Sequence, residues 1–255
     1  MRWYLWHDGA HRGDENMARD AALLDLCEAD GCGVVRCYGW SPATLSFGAN
    51  EPALRRYDRD RIAALGLAVV RRPTGGRAVW HADELTYAVA APADTFGTLP
   101  DTYHAIHAVI AAGLRTLGAA VDLAGRTPRT DLDAGACFAT PAGGEVVAGG
   151  RKVVGSAQLR RGGAFLQHGS ILLGGSQDQV RAVTRGAAPA GAETTLASIL
   201  GRPVTPQEAA RAIATELPKA WPGSWSDGSG VAERVAGLAQ RHIEQFRGET
   251  WTWRR

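Results

Sequence analysis

Apolar positions along the chain follow two periods. From residue 14 to 29, Met17, Ala21, Leu24 and Cys27 recur at the spacing of an amphipathic helix. Residues 100–117 repeat that pattern, with Tyr103, Ile106, Ile110 and Leu114 on one face, and 58–65 forms a shorter helix. The last 80 residues are mostly helical. There, Thr205-Pro206-Gln207-Glu208 is a capping-box pattern with proline at the first helical position, opening a helix to about Leu217. Alternating or short apolar runs predict strands at 2–7, 34–38, 44–48, 68–71, 84–91, 144–147, 152–159 and 164–173. Trp40-Ser41-Pro42 makes a turn, the polar and glycine-rich stretch 124–136 a loop, and 186–192 and 222–230 connectors. Strands grouped with helices, without strict alternation, predict an α+β fold: a mixed, largely antiparallel sheet flanked by helices.

Composition narrows the setting. At 255 residues and 45% hydrophobic, the chain buries one large core. A formal net charge of +2 with no basic run gives no footprint for nucleic acid. The first residues lack an apolar signal core, and no uncharged stretch spans a bilayer, so a cytoplasmic protein without a membrane partner is expected. Cys27, Cys32 and Cys37 are spaced C-x4-C-x4-C, looser than zinc pairs; they read as reduced, buried thiols, and no metal site is expected. His104 and His107, three apart on a helix without a third ligand, read as a solvated or half-buried face.

One count is sharper. Of 28 basic residues only two are lysines, Lys152 and Lys219. An ammonium loses its proton when desolvated and a guanidinium does not, so a lysine kept among arginines marks a place where that difference matters. Lys219 reads as a solvated helix-end charge, whereas Lys152 lies between glycines and an apolar strand.

Three segments carry candidate chemistry. Arg71-Arg72-Pro73-Thr74-Gly75-Gly76-Arg77 leaves a strand and precedes His81; it serves equally as a tight hairpin or as an anion cradle of backbone amides and guanidiniums. Gly149 to Gln158 holds Lys152 beside the small residues Gly155, Ser156 and Ala157, with His168 following; it is a surface hairpin or a wall on which a ligand lies. Cys137, fifteen residues before Lys152, is a small buried apolar group or a thiolate made nucleophilic by a nearby ammonium.

Together these segments resemble the lipoate–protein ligase and octanoyltransferase superfamily, which includes the biotin–protein ligases. The resemblance runs from Asn16-Met17-Ala18 and Asp20 through Arg36-Cys37-Tyr38 to RRPTGGRAV, HxxELTY, Ala136-Cys137-Phe138, GRKVVGSAQ and LQHGSILL, in that order. Arg77 replaces the third glycine of the ATP-dependent ligases, and Cys137 precedes the GRK segment; both features are similar to the cysteine-dependent octanoyltransferases of the LipM type. The family's His-Asp pair is here His81-Ala82.

That resemblance implies a biotinyl/lipoyl protein ligase-like (class II synthetase-like) catalytic domain over 1–200, with a helical extension over 201–255 packed on it. It implies octanoyl transfer from octanoyl–acyl carrier protein to a lysine of an apo lipoyl domain, such as glycine cleavage H protein or a 2-oxoacid dehydrogenase E2. Cys137 would carry the acyl group with Lys152 beside it. Arg72, Thr74, Gly75, Gly76, Arg77, His81, Gly155, Ser156, Ala157, Gln158 and His168 would contact substrate. No cofactor is implied. The alternatives are an ATP- and magnesium-dependent lipoate–protein ligase, or an amidotransferase between lipoyl domains.

Overall fold

The helical spacing of Met17, Ala21, Leu24 and Cys27 is realised, and all four side chains are buried. The computed structural model describes residues 1–125, 143–186 and 191–255. The chain opens with β1 (Arg2–His11), α1 (Gly13–Asp30), β2 (Gly33–Trp40) and β3 (Thr44–Phe47). Two short helices, α2 (Ala53–Arg56) and α3 (Arg59–Ala64), lead to β4 (Ala68–Arg71), β5 (Val79–His81) and β6 (Glu84–Pro92). After α4 (Leu99–Thr116) come β7 (Asp122–Leu123), β8 (Val146–Ala148), β9 (Arg151–Lys152), β10 (Val154–Arg161) and β11 (Ala164–Leu172). Then follow α5 (Asp178–Val183), α6 (Leu196–Leu200), α7 (Pro206–Ala220), β12 (Ser224–Asp227), α8 (Ser229–Ala239), α9 (Ile243–Arg247) and α10 (Glu249–Thr252).

The described residues form a main sheet ordered β10-β11-β6-β2-β1-β12. Its β10–β11, β11–β6 and β6–β2 pairs are antiparallel, while β2–β1 and β1–β12 are parallel. The sheet is therefore mixed, as expected. Helices cover both faces, which explains why β2, β6 and β11 are buried nearly throughout. One face packs on α4 and α7 around Val35, Tyr87 and Phe165; the other packs on α1 and α8 around Val34, Ala88 and Leu166. A smaller sheet, β4-β3-β5, has its own apolar cluster, with Phe47 and Tyr57 stacked 5.1 Å apart. A third sheet joins β7, β8 and β9. No helix among the described residues is long and apolar enough to cross a membrane.

Several expectations are corrected. The connector 222–230 contains β12, which pairs in parallel with β1 from Arg2↔Ser224 to Leu5↔Asp227. Its Ser-Trp-Ser-Asp sequence lacks apolar alternation, because an edge strand is held by backbone pairing. The single strand 152–159 is broken at Val153, so that Lys152 belongs to the third sheet and Val154 onward to the main one. The first strand runs to His11, beyond a register shift between His7 and Ala10. Thr205 does cap α7, accepting from the Glu208 N–H at 3.1 Å, but the Glu208 carboxylate pairs with Arg202. The reciprocal capping box forms instead at Thr98 and Asp101 of α4. Of the predicted loop, 126–136 lies outside the described residues, as does 187–190 of the connector.

Candidate active site

Residues directly opposite in antiparallel pairs project from the same face. The register places Tyr38 beside Thr86, Thr86 beside Ser170, Ser170 beside Gly155 and His168 beside Ala157. These side chains therefore share the α1 face. On β10 only a hydrogen and a methyl project there, leaving a cleft between the main sheet and the β4-β3-β5 sheet. Met17, Trp40, Ser46, Arg72, Val79 and His81 complete its walls. Ser156 points the opposite way and borders the cleft only through its backbone.

The arginine loop forms one side. Arg71 is fully buried: Nη1 donates to the Gly48 and Glu51 carbonyls at 2.7 and 2.9 Å and Nε to the Thr252 carbonyl at 2.9 Å, while Nη2 is buried without a hydrogen-bond partner among the described residues. Arg72 borders the cleft while donating to the Gly75 carbonyl at 2.8 Å, the Arg77 carbonyl at 2.6 Å and Ser46 Oγ at 3.0 Å. It thus holds the loop's own shape. Gly76 has φ +86, a region that favours glycine. A Cβ on Gly48 would lie 1.9 Å from the Gly76 carbonyl oxygen, so the loop closes onto β3 only because Gly48 has no side chain. Thr74 reaches across to β11, where its hydroxyl meets His168 Nε2 at 2.5 Å.

Behind His168 stands a buried polar network. Its Nδ1 is 2.8 Å from Asp20 Oδ2, which also accepts from the Tyr38 hydroxyl at 2.8 Å. Asp20 Oδ1 accepts from Arg36 at 2.7 Å, and Arg36 also pairs with Asp8 and stacks over Tyr38. Burial would raise the Asp20 pKa, but the His168 hydrogen bond and the Arg36 charge outweigh it and hold the carboxyl below its usual value. Burial pushes His168 down, against the pull of Asp20. His168 is therefore neutral near pH 7, donating from Nδ1 and accepting from Thr74. His81 stacks 4.0 Å from Trp40, with Nδ1 3.0 Å from Glu84 Oε1 and Nε2 2.8 Å from Ser46 Oγ.

Lys152 is buried, 2% exposed, and its Nζ donates to Glu145 Oε1 at 2.6 Å. Glu145 also accepts from the Tyr103 hydroxyl at 3.2 Å. Lys219, by contrast, makes an exposed pair with Glu216, the solvated role expected. Of the predicted site residues, Arg72, His81, Gly155, Ser156, Ala157 and His168 come together at the cleft, with Thr74, Gly75 and Gly76 in the loop beside it. Arg77 contributes its carbonyl to that loop. Gln158 meets the Gln167 amide at 2.6 Å, and Lys152 is not among the residues lining the cleft. Cys137 lies outside the described residues. Among the described residues, no group of three His, Cys, Asp or Glu is placed to hold a metal ion.

His104 is exposed, but His107 corrects the sequence reading: it is fully buried between α4 and the sheet. Its Nδ1 lies 2.7 Å from the Gly144 carbonyl, which can only accept, so the proton sits on Nδ1. Nε2 then accepts from Ser156 at 2.8 Å, Ser156 from the Tyr87 hydroxyl at 2.7 Å, and Tyr87 from Gln167 at 2.8 Å. Burial lowers the His107 pKa to about 3. Helical spacing located its face but not the strand hydroxyl that satisfies it. Asp20 was missed as a site residue for the same reason, its partners Arg36, Tyr38 and His168 lying 16, 18 and 148 positions away, whereas Glu145 was missed although Lys152 follows it by only seven.

The fold and these residues match known proteins. The family model for the lipoyl protein ligase A/B catalytic domain matches residues 12–218. An octanoyltransferase LipM from Symbiobacterium thermophilum is 38% identical over 99% of this chain and 98% of its own length. Another, from Moorella thermoacetica, is 42% identical over 72% of this chain and 69% of its own. The crystal structure of a lipoate–protein ligase A bound with ATP superposes with a TM-score of 0.82 at 20% identity, covering 99% of both chains. A bipartite lipoate protein ligase from Thermoplasma acidophilum, studied with its E2 lipoyl domain, gives 0.73 at 19% identity, over 99% of this chain and 96% of its own. The chain belongs to the lipoyl protein ligase A/B catalytic domain family and, within it, to the LipM octanoyltransferases, acyltransferases of lipoate biosynthesis.

Proposed function

We propose that this chain moves an octanoyl group from octanoyl–acyl carrier protein to a lysine of an apo lipoyl domain, through a thioester on Cys137. The observation that carries the reading is Lys152: one of two lysines in an arginine-rich chain, buried on Glu145 two residues before the strand whose Gly155 and Ala157 floor the cleft. In the first step the Cys137 thiolate attacks the carrier thioester; a new C–S bond forms and the carrier leaves as its thiol. In the second the acceptor amine attacks that thioester, the C–N bond forms, and Cys137 departs with a proton. The first exchange is nearly isoenergetic and the second runs downhill, so neither step needs ATP.

The Lys152 ammonium favours the thiolate and afterwards mediates the proton released by the amine. Backbone amides of Gly75-Gly76 or Gly155-Ser156 are the donors for the tetrahedral oxyanion. Met17, Trp40 and Val79 suit the acyl chain, whose burial contributes roughly 5 kcal/mol. The E2 lipoyl domain studied with the archaeal ligase supports a lipoyl domain as acceptor. The test is intact-protein mass spectrometry after mixing with octanoyl–acyl carrier protein, without ATP. An octanoyl adduct forms on the wild type, is absent from Cys137→Ala, and disappears when apo lipoyl domain is added. Modification of the lipoyl domain only with ATP and a free acid would make the protein a ligase.

A further inference from the structure

Among the described residues, the polar side chains that border the cleft are engaged, with one exception. Tyr38 and His168 are held on Asp20, while Arg72 and His81 each bond to Ser46. Trp40 Nε1 donates to the Thr86 hydroxyl at 2.8 Å, and that hydroxyl donates on to Glu84. Ser156 turns away from the cleft to His107 and Tyr87. The exception is Ser170. It is 2% exposed and lines the cleft, and its Oγ is buried with no hydrogen-bond partner among the described residues.

Register fixes where that hydroxyl stands. Ser170 lies between Thr86 on β6 and Gly155 on β10, on the face of the sheet that floors the cleft. Thr86 is already bonded and Gly155 has no side chain, so neither neighbour satisfies it. A buried hydroxyl left unpaired is costly, and the cost is relieved when a ligand atom arrives. The hollow itself is about 360 Å³, at the low end of the roughly 300–1,000 Å³ of small-molecule sites. Met17, Val79 and Ala157 make much of its remaining wall apolar.

We propose that the Ser170 hydroxyl donates to the carbonyl oxygen of the bound acyl group. The proposal rests on the octanoyl transfer proposed above and adds a residue to it. An octanoyl thioester has one strong acceptor, its carbonyl oxygen, and the rest of the chain is hydrocarbon. A single unpaired hydroxyl in an apolar slot is matched by that atom and by no other part of the chain. The hydroxyl keeps its proton throughout. Charge builds on the oxygen as the nucleophile attacks, so the bond is stronger in the transition state than in the ground state. Ser170 thereby joins the backbone amides as a donor to the oxyanion. The same anchor orients the chain. Ala157 is two residues beyond Gly155 on the same face, roughly 7 Å along the strand, so the tail passes over it. Lys152 lies in the opposite direction, where the Val153 carbonyl accepts from the Leu172 N–H at 3.0 Å.

The test follows the full chain as it is loaded from octanoyl–acyl carrier protein isotopically labelled at the carbonyl carbon. Ser170→Ala removes the hydroxyl alone. Loading, read by intact mass at short times, is expected to slow roughly 100-fold. In isotope-edited infrared spectra the wild-type thioester carbonyl should absorb at lower frequency than that of the variant, because a hydrogen bond weakens the C=O bond. The unloaded variant should melt no lower than wild type, since it buries one unpaired polar group fewer. Loading at the wild-type rate overturns the proposal. Slow loading with an unmoved carbonyl band, or with a lower melting temperature, overturns it too, because either result makes Ser170 structural. If the wild type never loads, the proposed function falls instead, and binding decides the contact. N,N-dimethyloctanamide, which has the carbonyl and no donor, should then bind wild type about fivefold more tightly than Ser170→Ala, and equal binding overturns the contact.

Discussion

His81, His107 and His168 each turn one ring nitrogen to an oxygen that accepts and the other to a hydroxyl. For His107 that arrangement has a thermodynamic consequence. In the folded chain its pKa is about 3, whereas an unfolded histidine titrates near 6.5. Below about 6.5 the unfolded state takes up a proton that the folded state refuses, so stability is present at neutral pH and lost as pH falls toward 3. At pH 5 the loss is about 2 kcal/mol relative to pH 8. Urea unfolding at the two pH values checks it: wild type should show the drop, and His107→Asn should lose about that much less between them. Buried His168, also pushed down, adds in the same direction. At this scale composition singled out Lys152, and the structure buries it on Glu145. The sequence hid His107, because a histidine three residues from an exposed one carries no sign of a serine 49 positions away.

Between elements, β10 divides the chemistry. Gly155 and Ala157 face the cleft, while Ser156 faces α4 and His107. Ala157→Leu should therefore fill the floor of the cleft and shorten the acyl chain it accepts. Measured by adduct formation with octanoyl- and butyryl-carrier protein in competition, preference should shift toward butyryl by about tenfold or more, since each methylene in a tight apolar pocket is worth roughly 1–3 kcal/mol. An unchanged preference would place the acyl chain elsewhere. The periodic helices α1 and α4, and the apolar run of β6, were legible from the sequence within a residue or two. β12 was not, because its stability comes from parallel pairing with β1 and its side chains are mostly exposed. Nor was the break at Val153: the run GRKVVGSAQ gives no glycine or proline there, and only the change of sheet partner separates Lys152 from Val154.

Across the whole molecule, the last residues return to the strand that launches the arginine loop. Trp251 Nε1 donates to the Arg71 carbonyl at 2.8 Å, and Arg71 donates to the Thr252 carbonyl, joining positions about 180 apart in the chain. Burial, with the charges of Arg254, Arg255 and Arg72 adding to it and Glu51 opposing, lowers the Arg71 pKa to about 10. Its guanidinium stays charged at neutral pH and depends on those carbonyls. Trp251→Phe keeps the ring and deletes the donor, at a cost of about 1 kcal/mol. In a chain of this size that lowers Tm by roughly 2–4 °C, which calorimetry resolves. No local pattern announces such a contact, whereas the grouping of predicted strands with helices, without strict alternation, was enough to foresee the mixed sheet. The His107 ring is equally removed from water on the far side of that sheet. Imidazole N–H protons are usually lost to solvent exchange, but one buried on the Gly144 carbonyl should persist as its own downfield line in a proton spectrum. Because Ser156 joins His107 to the backbone edge of the cleft, that line would move as the acyl group arrives, and the protein would report its own loading without a label.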